Sequence, residues 1–263
     1  MTPFLSWALL CVSAFAAGVV NALAGGGTLL TFPALLTVTP KNLLANTTST
    51  VALVSGSVAG AVGYRRDLRG MGGWLWLLVV PSVLGGLAGA LLLTLPRDGD
   101  DYFKLVIPWL LLFASALFLF QPQVTRWLGH HEMHGPPPRW MRVVIVIFQF
   151  FIGVYGGYFG AGIGVLMLSS LGLMGIHDIH RMNAIKTILA ACINGVSVVV
   201  FVWQGAVVWQ YVPAMIAASV AGGFCGAHFG RRLPRPLVRW LVILVGFALA
   251  AYYFAKQLKL LPD

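Results

Sequence analysis

Apolar positions in this chain neither alternate at strand spacing nor recur every third or fourth residue. They run on in predominantly apolar stretches of about 18 residues or more, repeated from end to end. A stretch of that length crosses a hydrocarbon layer of roughly 30 Å at about 1.5 Å per residue. Six of them predict long helices at about 43–64, 73–95, 102–121, 180–204, 206–230 and 237–257. Two further apolar segments, about 4–37 and 141–175, are interrupted by glycine. In the first, NALAGGGTLLTFP (Asn21 to Pro33) sets three consecutive glycines and a proline where a continuous helix is poorly supported, which predicts a break. The expected fold is therefore an all-α polytopic membrane protein of about eight transmembrane segments, each half carrying one Gly-broken or re-entrant helical segment.

The halves resemble each other. GVVNALAGGG at Gly18 to Gly27 matches GVYGGYFGAG at Gly153 to Gly162, ANTTST at Ala45 to Thr50 matches MNAIKT at Met182 to Thr187, and GGLAGA at Gly85 to Ala90 matches GGFCGA at Gly222 to Ala227. Pro96 and Pro234 close the same element, and the offset stays between 135 and 138. Shared hydrophobicity alone does not hold a register over that distance. The expected organisation is a first transmembrane repeat over 1–121, a linker over 122–140 and a second repeat over 141–263.

Loop charges suggest that the second repeat is inverted. Arg65, Arg66 and Arg69 follow the first long helix, and the next loop, Arg97 to Asp101, is net acidic; in the second half Trp203 to Ala206 is uncharged and the next loop carries Arg231, Arg232, Arg235 and Arg239. The positive-inside rule makes those basic loops cytoplasmic, together with the linker that holds Arg126 and Arg139, and puts both termini outside. Lys256 and Lys259 then run against the rule.

Composition agrees with a membrane setting: 59% of residues are apolar and 9% charged, with a mean hydropathy of +0.88, where soluble domains are roughly a quarter charged. The formal net charge of +10 sits in loops as a topology signal, so no nucleic-acid partner is implied. The first apolar run lacks a basic leader and continues into the glycine motif, so it reads as uncleaved. Cys11, Cys192 and Cys225 are odd in number and lie in apolar sequence, as core hydrophobes do. His130, His131 and His134 in the linker match no zinc motif and read as a solvated cluster; neither metal nor cofactor is expected.

Candidate chemistry concentrates at the breaks. Unwound backbone at membrane depth is tolerated only inside protein or facing a watery cavity, and half-helix N-termini offer free N–H groups and partial positive charge to an anion. Gly160, Gly162 and Gly164 supply the second copy of the first break. The first long helix of each half opens on polar residues: Asn46 to Thr50, matched by Asn183, Lys186 and Thr187, with Asn194 and Ser197 continuing the second stripe. Interhelical hydrogen bonding is the plain reading of the hydroxyls and amides. Lys186 is the deepest charge, and its two readings are a substrate contact and snorkelling to the inner surface. All seven acidic residues fall in loops or at the terminus, which suits a permeant anion better than a cation or proton relay.

NALAGGGT, GGYFGAGIG, ANTTST, YRRDLRG and the two GGxxGA motifs, in this order, resemble the TauE/SafE family of membrane transporters across essentially the whole chain. The resemblance implies a bacterial inner-membrane permease for sulfite, sulfonates or related anions, in contact with membrane lipid, and a homodimer is open. By position it implies substrate contacts at Asn21, Gly25, Gly26, Gly27, Asn46, Thr48, Ser49, Gly160, Gly162, Asn183 and Lys186. Thr28 shortens the first glycine run and Ala161 interrupts the second, which narrows the backbone cradle and leaves the choice of anion open. An intramembrane enzyme would need GxSxG with His, HExxH or paired aspartates inside a helix, and a scaffold would not need matched breaks. His228 at a membrane edge reads as a packing residue. With no Walker A motif, energy would come from an ion or substrate gradient, or from none.

Overall fold

The computed structural model describes residues 2–23, 25–64, 72–96, 98–129, 138–174, 176, 178–229 and 235–258. Among them are ten helices and no strand: α1 (Pro3–Leu23), α2 (Thr28–Leu36), α3 (Asn42–Gly63), α4 (Gly72–Thr94), α5 (Gly99–Gly129), α6 (Arg139–Tyr158), α7 (Ile163–Leu173), α8 (Ile179–Trp203), α9 (Val212–Phe229) and α10 (Arg235–Gln257). The basic loop at Arg65 to Arg69, Arg97, the histidines 130, 131 and 134, Arg231, Arg232 and Lys259 lie outside the described residues.

Among the described residues six helices are long and apolar enough to cross a membrane: Pro3–Leu23, Leu75–Thr94, Gly99–Gln123, Arg139–Tyr158, His180–Trp203 and Arg239–Gln257. The chain is thus a multi-pass membrane protein. Its outer faces carry Phe4, Trp76, Trp109, Phe151, Val199 and Trp203, all more than half exposed, while Asn46, Thr47, Thr48, Ser49, Gln149 and Lys186 are buried. That inverts the soluble pattern, because hydrocarbon accepts the apolar faces and polar groups must find partners inside.

Each broken segment is one long helix and one short one. α1, at 21 residues, rises about 31 Å, whereas α2 (9 residues) and α7 (11 residues) rise only about 14 and 17 Å, half a bilayer. Two boundaries differ from expectation. α9 begins at Val212 rather than 206, because Gly205 turns at φ +65 and the following loop is pinned from α3: Thr47 Oγ1 donates to the Ala206 carbonyl and Thr48 Oγ1 accepts from Val208 N–H at 3.0 Å. Pro213 then sits in the first turn of α9, where its missing N–H leaves no bond unmade. α5 continues past 121 to Gly129 with Pro122 inside it, so the first part of the polar linker is helical.

The sequence halves interleave. α1 packs on α9 and α6 on α4, with α3 against both α9 and α8, and α8 also against α4. The GGxxGA glycines allow these crossings. A Cβ on Gly222 would stand 2.0 Å from the Phe15 carbonyl oxygen of α1, and one on Gly85 2.2 Å from the Phe150 carbonyl oxygen of α6. Gly226 meets Val19 and Gly89 meets Val154; Gly223 meets Gly56 on α3 and Gly86 meets Ile193 on α8. With no side chain in the way the backbones approach closely, and dispersion supplies the association that lipid cannot.

Candidate functional site

Both glycine-rich stretches leave the helix, and they meet. Gly25, Gly160 and Gly162 adopt φ of +78, +81 and +80, a region open to glycine without steric cost. Gly164 N–H donates to the Gly25 carbonyl at 3.4 Å, and a Cβ on Gly25 would lie 2.6 Å from Gly164 Cα. The first break therefore touches the second backbone to backbone, which brings the N-terminal ends of α2 and α7 together.

Polar side chains hold the unwound backbone. Asn21 Oδ1 accepts from Gly27 N–H at 2.7 Å, at the N-cap of α2, and the Tyr155 hydroxyl donates to the Ala161 carbonyl at 2.7 Å. The carbonyl ends of α1 and α6 are met crosswise from the other half. Lys186 Nζ on α8 donates to the Ala22 carbonyl at 3.3 Å and to Asn183 Oδ1 at 3.0 Å; Asn46 Nδ2 on α3 donates to the Tyr158 carbonyl at 3.0 Å. Lys186 is 1% exposed. Desolvating an ammonium costs several kcal/mol, about the order that oxygen ligands and the negative end of a helix dipole can offset. Snorkelling does not describe this side chain, which turns inward.

Asn21, Gly25, Gly160 and Lys186, four of the expected contact residues, line one polar cavity of about 20 Å3 together with Thr28, Ser57, Ile163, Gly164, Thr187, Ala190 and Asn194. That volume holds on the order of one water. The other expected residues lie around it. Gly26 backs onto the Phe118 ring, Gly27 onto Ala17 and Asn21, and Gly162 faces Ala114. Thr48 holds the loop before α9, Ser49 Oγ hydrogen-bonds Thr31 Oγ1 of α2, Asn183 orients Lys186, and Asn46 meets the end of α6. Of the residues not expected as contacts, Thr187 and Asn194 were visible on the polar stripe and Gly164 in the second glycine run. Ser57, two turns beyond the polar start of α3, carried no signal.

At the N-terminus of α8, outside its apolar span, Asp178 caps the helix: Oδ1 accepts from His180 N–H at 2.8 Å and Arg181 N–H at 3.4 Å. Those N–H groups, the first above all, hold its carboxyl below the ordinary carboxylate value. Among the described residues no three His, Cys, Asp or Glu side chains gather closely enough for a metal ion.

The sequence profile of the sulfite exporter TauE/SafE family matches residues 10–253. A "Probable membrane transporter protein" of Haemophilus influenzae is 28% identical over 252 residues, 92% of either chain. The "Probable membrane transporter protein YfcA" of Escherichia coli K12 is 26% identical over 258 residues, 95% of this chain and 90% of its own, and the "Probable membrane transporter protein ORF9" of a Sinorhizobium species is 27% identical over 248 residues, 92% and 90%. With two broken helices meeting at a buried lysine and a family match over nearly its whole length, the chain belongs to the sulfite exporter TauE/SafE family and is a membrane transporter of that type.

Proposed function

We propose that this transporter carries a small anion, sulfite or an organosulfonate, across the bacterial inner membrane by alternating access. Two inverted repeats, 1–121 and 141–263 joined by the linker 122–140, supply about eight transmembrane segments, one in each repeat being the broken segment made of α1 with α2 or α6 with α7. The reciprocal contacts support this reading: Phe150 and Val154 stand 135 residues after Phe15 and Val19, and each meets the glycine that matches its counterpart's. Packing that repeats with the sequence offset is what a two-fold related pair of halves produces.

The observation that carries the function is Lys186, buried and lining the cavity where the two breaks touch. An anion there meets an ammonium, the Thr28 hydroxyl and the positive ends of two half-helices, a set that favours negative charge. The small cavity corresponds to a closed arrangement, with the halves rocking to open it to either side.

The test is saturable thermal stabilisation of the purified protein by sulfite, sulfate, thiosulfate, sulfoacetate, taurine and simple carboxylates. Stabilisation by a sulfur oxyanion or sulfonate, lost in Lys186→Met and weakened in Thr28→Val, is expected. Thr28 makes the comparison clean because its hydroxyl lines the cavity while the isosteric valine keeps the packing. Indifference to every anion would sink the reading.

A further inference from the structure

Asn46 and Asn183 hold matched places, 137 residues apart, at the beginnings of α3 and α8. Their amide oxygens are treated differently. Asn183 Oδ1 receives the Lys186 ammonium at 3.0 Å. The amide of Asn46 is oriented by the Tyr158 carbonyl, which can only accept, so Nδ2 faces that carbonyl and Oδ1 is turned away from it. Asn46 is 1% exposed, and its Oδ1 has no hydrogen-bond partner among the described residues. A buried acceptor left in that condition is unfavourable, and such an atom calls for an explanation.

The repeat supplies one. The position matching Lys186 is Ser49, whose hydroxyl is engaged with Thr31 Oγ1. In the second half, then, the protein places its own cation against an asparagine oxygen and the carbonyl end of the broken helix α1. The first half presents Asn46 Oδ1 beside a neutral residue and next to the carbonyl end of α6, whose Tyr158 oxygen is met by the Asn46 amide itself. A helix C-terminus carries roughly half a negative charge, so this pair of features favours a positive guest.

We propose that Asn46 Oδ1 belongs to a binding site for a small monovalent cation of the sodium class, which takes in the first half the electrostatic place that the Lys186 ammonium takes in the second. Neutral hard oxygens suit such an ion and give no advantage to a softer transition metal. The inference rests on the anion-transport reading, since a cation bound near a permeant anion offsets its charge and links its movement to a cation gradient.

The experiment uses the full-length purified chain in detergent. Thermal stability is titrated with sodium chloride against potassium chloride and N-methylglucamine chloride at constant ionic strength, without sulfite; sulfite binding is then measured with and without sodium. A saturable sodium-specific stabilisation is expected in the wild type, lost in Asn46→Leu and retained in Asn46→Asp. Sulfite affinity should fall about tenfold or more without sodium, the scale of one hydrogen-bonded contact to a charge. Sulfite binding that ignores sodium in the wild type overturns the cation site and leaves the anion reading standing. A sodium response with no sulfite binding sinks the anion reading instead. Sodium stabilisation unchanged in both Asn46 variants refutes the assignment and leaves a structural water as the partner of Oδ1. Should Asn46→Leu fail to fold, the wild-type ion selectivity and the sodium dependence of wild-type sulfite binding decide the matter.

Discussion

Gly25 and Gly162 share a left-handed backbone, at φ +78 and +80, yet their surroundings differ, which lets dihedral and contact effects be separated. A Cβ on Gly162 would find Ala114 Cα at 3.5 Å, an ordinary contact, so Gly162→Ala bears only the dihedral penalty of about 1–2 kcal/mol. A Cβ on Gly25 would lie 2.6 Å from Gly164 Cα, and backbone cannot swing aside as a side chain can. Overpacking of that kind adds about 1–3 kcal/mol, for a total of roughly 2–5 kcal/mol. At about 2–4 °C per kcal/mol for a chain of this size, Gly162→Ala should lower the melting temperature by roughly 2–8 °C and Gly25→Ala by roughly 4–20 °C. Asparagine, which tolerates the left-handed region, distinguishes the causes. Gly162→Asn should recover most of the loss, whereas Gly25→Asn should recover little and should also abolish sulfite stabilisation, because the two breaks can no longer touch. Thermal unfolding in detergent, with and without sulfite, reads both effects. Recovery of wild-type stability and sulfite response in Gly25→Asn would refute the argument that the close approach of the breaks builds the site.

At the entry to α8, Asp178→Ala should cost about 0.5–2 kcal/mol at neutral pH, while Asp178→Asn, an equally good cap, should cost little. Because the folded-state carboxyl is held below its ordinary value of 3.8, its stabilisation is present above that pH and is lost as pH falls through the lower folded value. Unfolding between pH 3 and 7 should therefore lose part of its acid sensitivity in Asp178→Asn, and an unchanged acid limb would contradict the cap's role. In the helix packing, Gly89→Leu should destabilise by about 1–3 kcal/mol or more, since a Cβ there would stand 2.0 Å from the Val154 carbonyl oxygen. Gly195→Ala, with nothing within 4 Å, should be neutral or stabilise by up to about 1 kcal/mol. Equal effects of the two substitutions in the same unfolding assay would count against glycine-mediated approach of α4 and α6.

Helix positions were legible because in a membrane the length of an apolar run and the length of a helix are set by the same thickness. The expected 43–64 and 180–204 appear as Asn42–Gly63 and Ile179–Trp203. The breaks at Gly25 and at Gly160 to Gly162 were legible for a similarly local reason, that glycine and proline weaken a helix whatever surrounds it. The late start of α9 was not, since the preceding loop is held by Thr47 and Thr48 from a helix about 160 residues earlier. Nor could local sequence assign duties among the polar residues at the start of α3. Thr48 and Ser49 bind the loop and α2, while Thr187 and Ser57 reach the cavity, and the difference lies in which helix packs against each face.

By itself the sequence determined the membrane setting, the helical class and the two places where a helix must break, because each follows from side-chain solvation or local backbone preference. Only the tertiary structure decided that the breaks touch, that Lys186 turns inward onto the carbonyl end of α1, and that Asn46 meets the end of α6 with its oxygen left over. Those are contacts between groups more than 100 residues apart, and they arise because interleaved glycine faces carry α1 onto α9 and α6 onto α4.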